Sequence, residues 1–138
     1  TGSCLVDPDI GAAGDVDTAA VMLQTASGKI CQISNSRRAT YGYDQRVEVH
    51  GSKGMLRADN MLESSVEVAT EDGFRRAPTQ HFFLERYSEA YRLEMVHFIE
   101  ATKAGVQSSP NIEDGLKAQM LADAAATALA TGQPQRIA

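Results

Sequence analysis

Apolar positions follow two different periods along this chain. From Val16 to Ser27 they alternate: Ala19, Val21 and Leu23 fall on one face, and Thr18, Ala20, Met22 and Gln24 on the other. Lys29 to Arg37 alternates likewise, with Cys31 and Ile33 sharing a side, and Ser27-Gly28 lies between the two runs. Alternation is the signature of a half-buried strand, so the pattern predicts a hairpin. A second hairpin is predicted over 45–51 and 54–59, where Val47 and Val49 point one way and Arg46, Glu48 and His50 the other. The turn between them is Gly51-Ser52-Lys53-Gly54. Shorter extended runs are predicted at 1–7 and 64–70. Asp7 to Gly14 (DPDIGAAG) reads as a turn-rich loop and Glu71-Asp72-Gly73 as another turn. Residues 73–83, interrupted by Pro78, carry no clear period.

The period then changes. Leu84, Tyr87, Tyr91, Met95, Phe98, Ile99 and Thr102 recur at three- and four-residue steps, which predicts an amphipathic helix of about five turns closed by Gly105. A second, alanine-rich helix is predicted from Asn111 to about Thr131. Asn111 caps its start, Asp114 completes a capping box, and Gly132 and Pro134 end it. Strands in one run followed by helices in another give an α+β fold: a mostly antiparallel open sheet covered on one face by helices. The outer faces of the first hairpin (Thr18, Ala20, Met22, Gln32, Ser34, Ser36) are small and mild, suited either to solvent or to another sheet in an oligomer.

Length and charge narrow the class. At 138 residues the chain is sized for one domain. A net charge of −5 and the absence of tryptophan argue against a nucleic-acid partner, and the charge against an anionic membrane surface. Apolar runs are only a few residues long, so no transmembrane span is predicted. The start, TGSCLVD, has neither an initiator methionine nor a signal sequence, which suggests a piece cut from a longer chain. Cys4 and Cys31 have no CxxC spacing, and an α/β-looking chain of this kind favours reduced thiols and a cytoplasmic home.

Candidate chemistry is sparse. No GxGxxG turn is present, GSKG lacks phosphate-loop spacing, and His50, His81 and His97 lie on different elements without a metal-ligand spacing. Arg37, Arg38, Tyr41, Tyr43 and Asp44 remain, clustered in one turn. Phenol and guanidinium groups donate to hydroxyl oxygens, and a carboxylate accepts hydroxyl protons, so such a turn can hold a polyol. It can equally be a loop whose tyrosines lean on the sheet and whose charges are solvated. Tyr91, one helical turn from Tyr87, is a further candidate with the same alternative of core packing.

The phrases DVDTAAVMLQTASGKICQI, YGYDQRVEVHGSKGML, ERYSEAYRLEMVHFIEA and EDGLKAQMLADAA, in this order, resemble the C-terminal domain of the Gfo/Idh/MocA oxidoreductases. YGYD resembles the inositol 2-dehydrogenase branch. The resemblance implies that residues 1–138 form a single C-terminal substrate-binding and oligomerisation domain, with an NAD- or NADP-binding Rossmann domain and the proton-transfer residues upstream of Thr1. It implies no cofactor on this chain and no hydride transfer by it alone. Tyr41 is implied as a contact for a polyol substrate, myo-inositol foremost, while Tyr43 and Asp44 either share that contact or fix the turn. Sheet faces of this family pack into dimers and tetramers, which implies a homo-oligomer. A non-catalytic assembly module or a free-standing small-molecule-binding domain is the alternative.

Overall fold

The computed structural model describes residues 1–137. It has seven strands and four helices among them: β1 (Gly2–Ser3), α1 (Pro8–Ala12), β2 (Thr18–Gln24), β3 (Ile30–Ser36), β4 (Val47–Gly51), β5 (Gly54–Ala58), β6 (Glu67–Thr70), β7 (Gly73–Arg76), α2 (Phe83–Arg86), α3 (Ser88–Ala104) and α4 (Ile112–Thr131). Every strand pair is antiparallel, which gives the α+β class expected from the two periods. The pairing is divided among three small sheets: β1-β2-β3, β4-β5 and β6-β7. The chain groups into two compact units, one of Thr1–Arg38 with the segment from Val106 onward, the other of Ala39–Gly105.

In the first unit, β2 and β3 pair over their full length, from Thr18 opposite Ser36 to Gln24 opposite Ile30. Val21 faces Ile33 and Leu23 faces Cys31, which puts the alternating apolar residues of both strands on one side. Ala19, Val21 and Leu23 are half-buried, whereas Ala20, Met22 and Gln24 are exposed, so the period-two pattern maps directly onto burial. The loop predicted over Asp7–Gly14 is a short helix instead. Asp7 accepts the Asp9 N–H and Pro8 occupies the first turn. Asp-Pro is a helix start, because the proline nitrogen has no hydrogen to leave unpaired and its φ is already helical.

Asp17 ties the first strand to this loop. Its carboxylate is 2% exposed and accepts the backbone N–H groups of Leu5 at 2.9 Å, Val6 at 2.7 Å and Asp7 at 2.8 Å. The Thr18 hydroxyl donates to it at 2.8 Å, and the Cys4 thiol lies 3.4 Å from it. These donors, the Leu5 N–H first, hold the Asp17 carboxyl well below the usual carboxylate range despite its burial.

α4 begins as its residues predict. The Asn111 side chain accepts the N–H groups of Glu113 at 2.8 Å and Asp114 at 3.2 Å, and Asp114 accepts the Asn111 N–H at 3.0 Å. Both halves of the capping box are therefore made. Asn111→Ala is expected to cost about 1 kcal/mol of stability, measurable as a lower urea midpoint with an unchanged slope.

In the second unit, β4 and β5 pair from Val47 opposite Ala58 to Gly51 opposite Gly54. The segment with no clear period contributes β7, which pairs Thr70 with Gly73 and Glu67 with Arg76. The helix predicted as continuous from Leu84 is interrupted. Tyr87, at φ −106° and ψ 7°, separates α2 from α3 while its N–H still bonds to the Phe83 carbonyl at 2.8 Å. Its ring meets the Tyr43 ring edge-on. Apolar burial is scant: Ala101, at 5% exposure, is the one buried apolar side chain among the described residues. Met22, Ile30, Phe74, Phe98 and Ile112 are all exposed.

Candidate functional site around the Tyr41–Asp44 turn

Three irregular segments of the second unit, 41–46, 60–63 and 78–80, are laced together by hydrogen bonds. The Tyr43 N–H donates to the Gln80 carbonyl at 2.8 Å, the Gln80 N–H to the Met61 carbonyl at 2.9 Å, and the Glu63 N–H to the Pro78 carbonyl at 2.9 Å. Leu62 and Thr79 form an isolated antiparallel bridge, and the Thr79 hydroxyl donates to the Tyr41 carbonyl. Gly42 lies buried where these segments meet, with φ at +120°. A Cβ on it would come within 2.8 Å of the Thr79 carbonyl oxygen, and closer still to the Thr79 hydroxyl. A glycine is required there on both counts.

The turn holds Tyr41 and Asp44 in one network. The Tyr41 hydroxyl donates to Asp44 Oδ2. Arg46 grips the same carboxylate with two prongs, Nε to Oδ1 at 2.8 Å and Nη2 to Oδ2 at 2.8 Å. Asn60 Nδ2 adds a bond to Oδ1 at 2.9 Å, and Asn60 Oδ1 accepts the Gln45 N–H at 2.8 Å. The Arg46 guanidinium, then the Tyr41 hydroxyl, pull the Asp44 carboxyl down to about 2, so it is ionised at neutral pH. The same carboxylate pushes the Tyr41 phenol above the usual tyrosine range. Tyr41 is nevertheless 55% exposed.

Tyr43 and Tyr91 belong to a separate chain of rings. Tyr43 and Tyr87 lie 5.6 Å apart at 79°, and Tyr87 and Tyr91 6.1 Å apart at 71°, both edge-to-face. A hydrogen bond to Tyr43 raises the Tyr87 phenol, and the Arg86 guanidinium lies 5.6 Å from the Tyr87 ring centre. Three shielded polar atoms of this unit, Gln45 Oε1, Gln80 Oε1 and Arg86 Nε, make no hydrogen bond among the described residues. Unpaired shielded polar atoms are uncommon in folded proteins, and they favour a polar ligand or solvent.

The structure thus brings Tyr41 to Asp44, and Tyr43 to Tyr91 through Tyr87. Arg37 and Arg38 lie in the first unit, where Arg38 pairs with Asp7 at 3.2 Å. Sequence reasoning left out Arg46, Asn60, Thr79 and Gln80 as parts of the turn. Arg46 was legible only as a charge two residues from Asp44, and nothing local marks the other three. No group of three or more potential metal ligands is present among the described residues. Among the described residues no strand-to-helix connection is a glycine-rich dinucleotide turn.

The fold and the turn can be set beside known proteins. An inositol 2-dehydrogenase of Rhizobium meliloti (strain 1021) is 55% identical over 130 residues, covering 94% of this chain and 39% of that protein. A crystal structure of a myo-inositol dehydrogenase from Corynebacterium glutamicum ATCC 13032 matches 96% of this chain and 40% of its own, at 40% identity and a TM-score of 0.92. A scyllo-inositol dehydrogenase from Lactobacillus casei, solved with NAD(H) and scyllo-inositol bound, matches 92% of this chain and 37% of its own, at 30% identity and a TM-score of 0.82. The chain spans about two fifths of the length of the relatives it matches. The model of the oxidoreductase family's C-terminal alpha/beta domain matches residues 5–137, and the chain belongs to that Gfo/Idh/MocA family.

Proposed function

We propose that this chain is the C-terminal domain of a longer NAD(P)-dependent polyol dehydrogenase, and that it supplies one wall of the substrate pocket together with a subunit interface. Myo-inositol, oxidised at one hydroxyl to the ketone, is the substrate proposed. The Tyr41 phenol carries this reading: it is exposed, yet fixed on a turn that a buried glycine and three laced segments hold in place. Names of the relatives supply the inositol chemistry. Tyr43 and Tyr91 are proposed as further contacts, joined to each other through the Tyr87 ring. Hydride transfer needs a nicotinamide and a base at the reacting hydroxyl, and both are assigned to a Rossmann domain upstream of Thr1.

Exposed apolar residues support the assembly part of the reading. Met22 at 73% and Ile30 at 71% sit on the β2–β3 hairpin, whose outer face is otherwise mild. Exposed apolar surface of this kind marks a contact with another protein surface. We assign it to a second copy of the chain and to the domain upstream. A cytoplasmic location is proposed from the two free cysteines. Among the described residues no helix is long and apolar enough to cross a membrane.

Tyr41→Phe in the full-length protein tests the substrate wall. Losing one neutral hydrogen bond is expected to raise KM for myo-inositol, or lower kcat/KM, by about two- to tenfold. Steady-state kinetics with saturating NAD would read it. Unchanged KM and kcat would leave the chain as an assembly module without a ligand contact at this turn.

A further inference from the structure

We propose that Asp44, Arg46 and Asn60 are positioning residues that hold the Tyr41 hydroxyl as a donor to Asp44, so that its oxygen meets a ligand only as a hydrogen-bond acceptor. This rests on the polyol reading above and specifies the polarity of its main contact.

A tyrosine hydroxyl has one proton to give. Here it goes to Asp44 Oδ2. The carboxylate cannot turn away, because Arg46 binds both of its oxygens at 2.8 Å in a fork. Asn60 fixes it from the other side, and its amide is used at both ends. Nδ2 faces Asp44 Oδ1 at 2.9 Å, and Oδ1 faces the Gln45 N–H at 2.8 Å. Flipping that amide would place two acceptors together and two donors together, so its orientation is set by chemistry.

Two consequences follow for the ligand. An ionised carboxylate offers about four acceptor positions, and Asp44 has all of them filled by Tyr41, Asn60 and the two Arg46 prongs. Asp44 therefore has no position left for a ligand hydroxyl, and of its two expected roles it fixes the turn. The Tyr41 oxygen keeps its lone pairs and has no proton to spare. It accepts from a ligand hydroxyl, whereas a carbonyl at the same place has nothing to give it. The contact selects a position on a neutral polyhydroxylated ring that carries O–H rather than C=O.

Titration of the Tyr41 ζ-carbon by NMR, in protein labelled on tyrosine and assigned by loss of the signal in Tyr41→Phe, tests the positioning directly. In the unsubstituted protein this phenol is expected to titrate above the ordinary tyrosine value of about 10. Asn60→Ala and Arg46→Lys are each expected to lower that midpoint by about half a pH unit or more as the carboxylate loosens. Using two variants guards against one that fails to fold, with circular dichroism as the check. A folded variant whose Tyr41 midpoint stays put overturns the proposal. In the full-length protein, Asn60→Ala should raise KM for myo-inositol about three- to tenfold with kcat within about twofold. An unmoved KM overturns the proposal if Tyr41→Phe itself raises KM. If Tyr41→Phe is silent, the polyol reading fails, and the titration still decides the positioning by itself.

Discussion

Gly42→Ala is expected to destabilise this protein by about 2–5 kcal/mol, a large part of the 5–15 kcal/mol that holds a typical domain together. Two costs combine. The backbone at φ +120° is a conformation that a side chain strains to adopt. The added methyl group would also sit 2.8 Å from the Thr79 carbonyl oxygen and 3.0 Å from that of Gln80. Those oxygens cannot swing aside like a flexible side chain. Thr79 is bridged to Leu62, and the Gln80 backbone bonds to Tyr43 on one side and Met61 on the other. Gly28→Ala separates the two costs, because Gly28 also has a positive φ, +83°, but nothing within 4 Å of the added carbon. It should cost only about 1 kcal/mol. Urea melts of both variants make the comparison. A Gly42→Ala protein no weaker than Gly28→Ala would mean that residues 78–80 do not press on the turn. Because the turn carries Tyr41, under the proposed polyol reading the substitution should also raise KM in the full-length protein by more than Tyr41→Phe does.

Elements whose residues report burial directly were readable from the sequence. β2 alternates because one of its faces is half-buried, and the same alternation of residue types marks β3 and β4, although the residues of those two strands are exposed. The start of α4 was readable because its cap is made by residues three apart. α1 was misread because Pro, Asp and Gly in one stretch look like a turn, although Asp7-Pro8 is a helix-start pair. β7 escaped because four residues, Gly73–Arg76, with two adjacent arginines have no alternation to detect. The break at Tyr87 escaped because the apolar period runs straight through it, and its ring partner, Tyr43, is 44 residues away in sequence. The site divides in the same way. Tyr41 and Asp44 stand three apart within YGYD and were legible together, whereas Asn60 and Thr79 reach the turn from 16 and 38 residues away. Distant polar partners leave no pattern in composition or spacing, so the groups that fix the turn were invisible even where the turn itself was not.

Asp17→Asn is expected to release the N-terminal segment, and to do so although the two side chains have almost the same shape. The Asp17 carboxylate takes the N–H groups of three consecutive residues, Leu5 to Asp7, with Oδ2 receiving both Val6 and Asp7. Backbone N–H groups converging in this way form an anion-binding hollow, and the anion here is the chain's own side chain. An asparagine must turn its NH2 group toward some of these donors, leaving N–H groups without their acceptor. Amide exchange of Leu5, Val6 and Asp7 should accelerate roughly tenfold or more, since their protection rests on this contact. The same carboxylate sets an acid limit. Its folded-state pKa is depressed, so between the unfolded value of about 4 and the lower folded value the unfolded chain binds the extra proton, and stability falls as pH falls. The contribution is therefore complete above about pH 5 and drains away below about pH 4. Asp44, pulled down to about 2, adds a loss of the same sign at the Tyr41 turn. Exchange measured at pH 6, and shifts of the Leu5–Asp7 amides followed from pH 6 to 2, check both parts. In Asp17→Asn the amides should already be loose at pH 6 and show no acid step of their own. Retained protection in that variant would mean that the β1–β2 pairing, Gly2 with Ala19 and Ser3 with Thr18, suffices to hold the segment without the carboxylate.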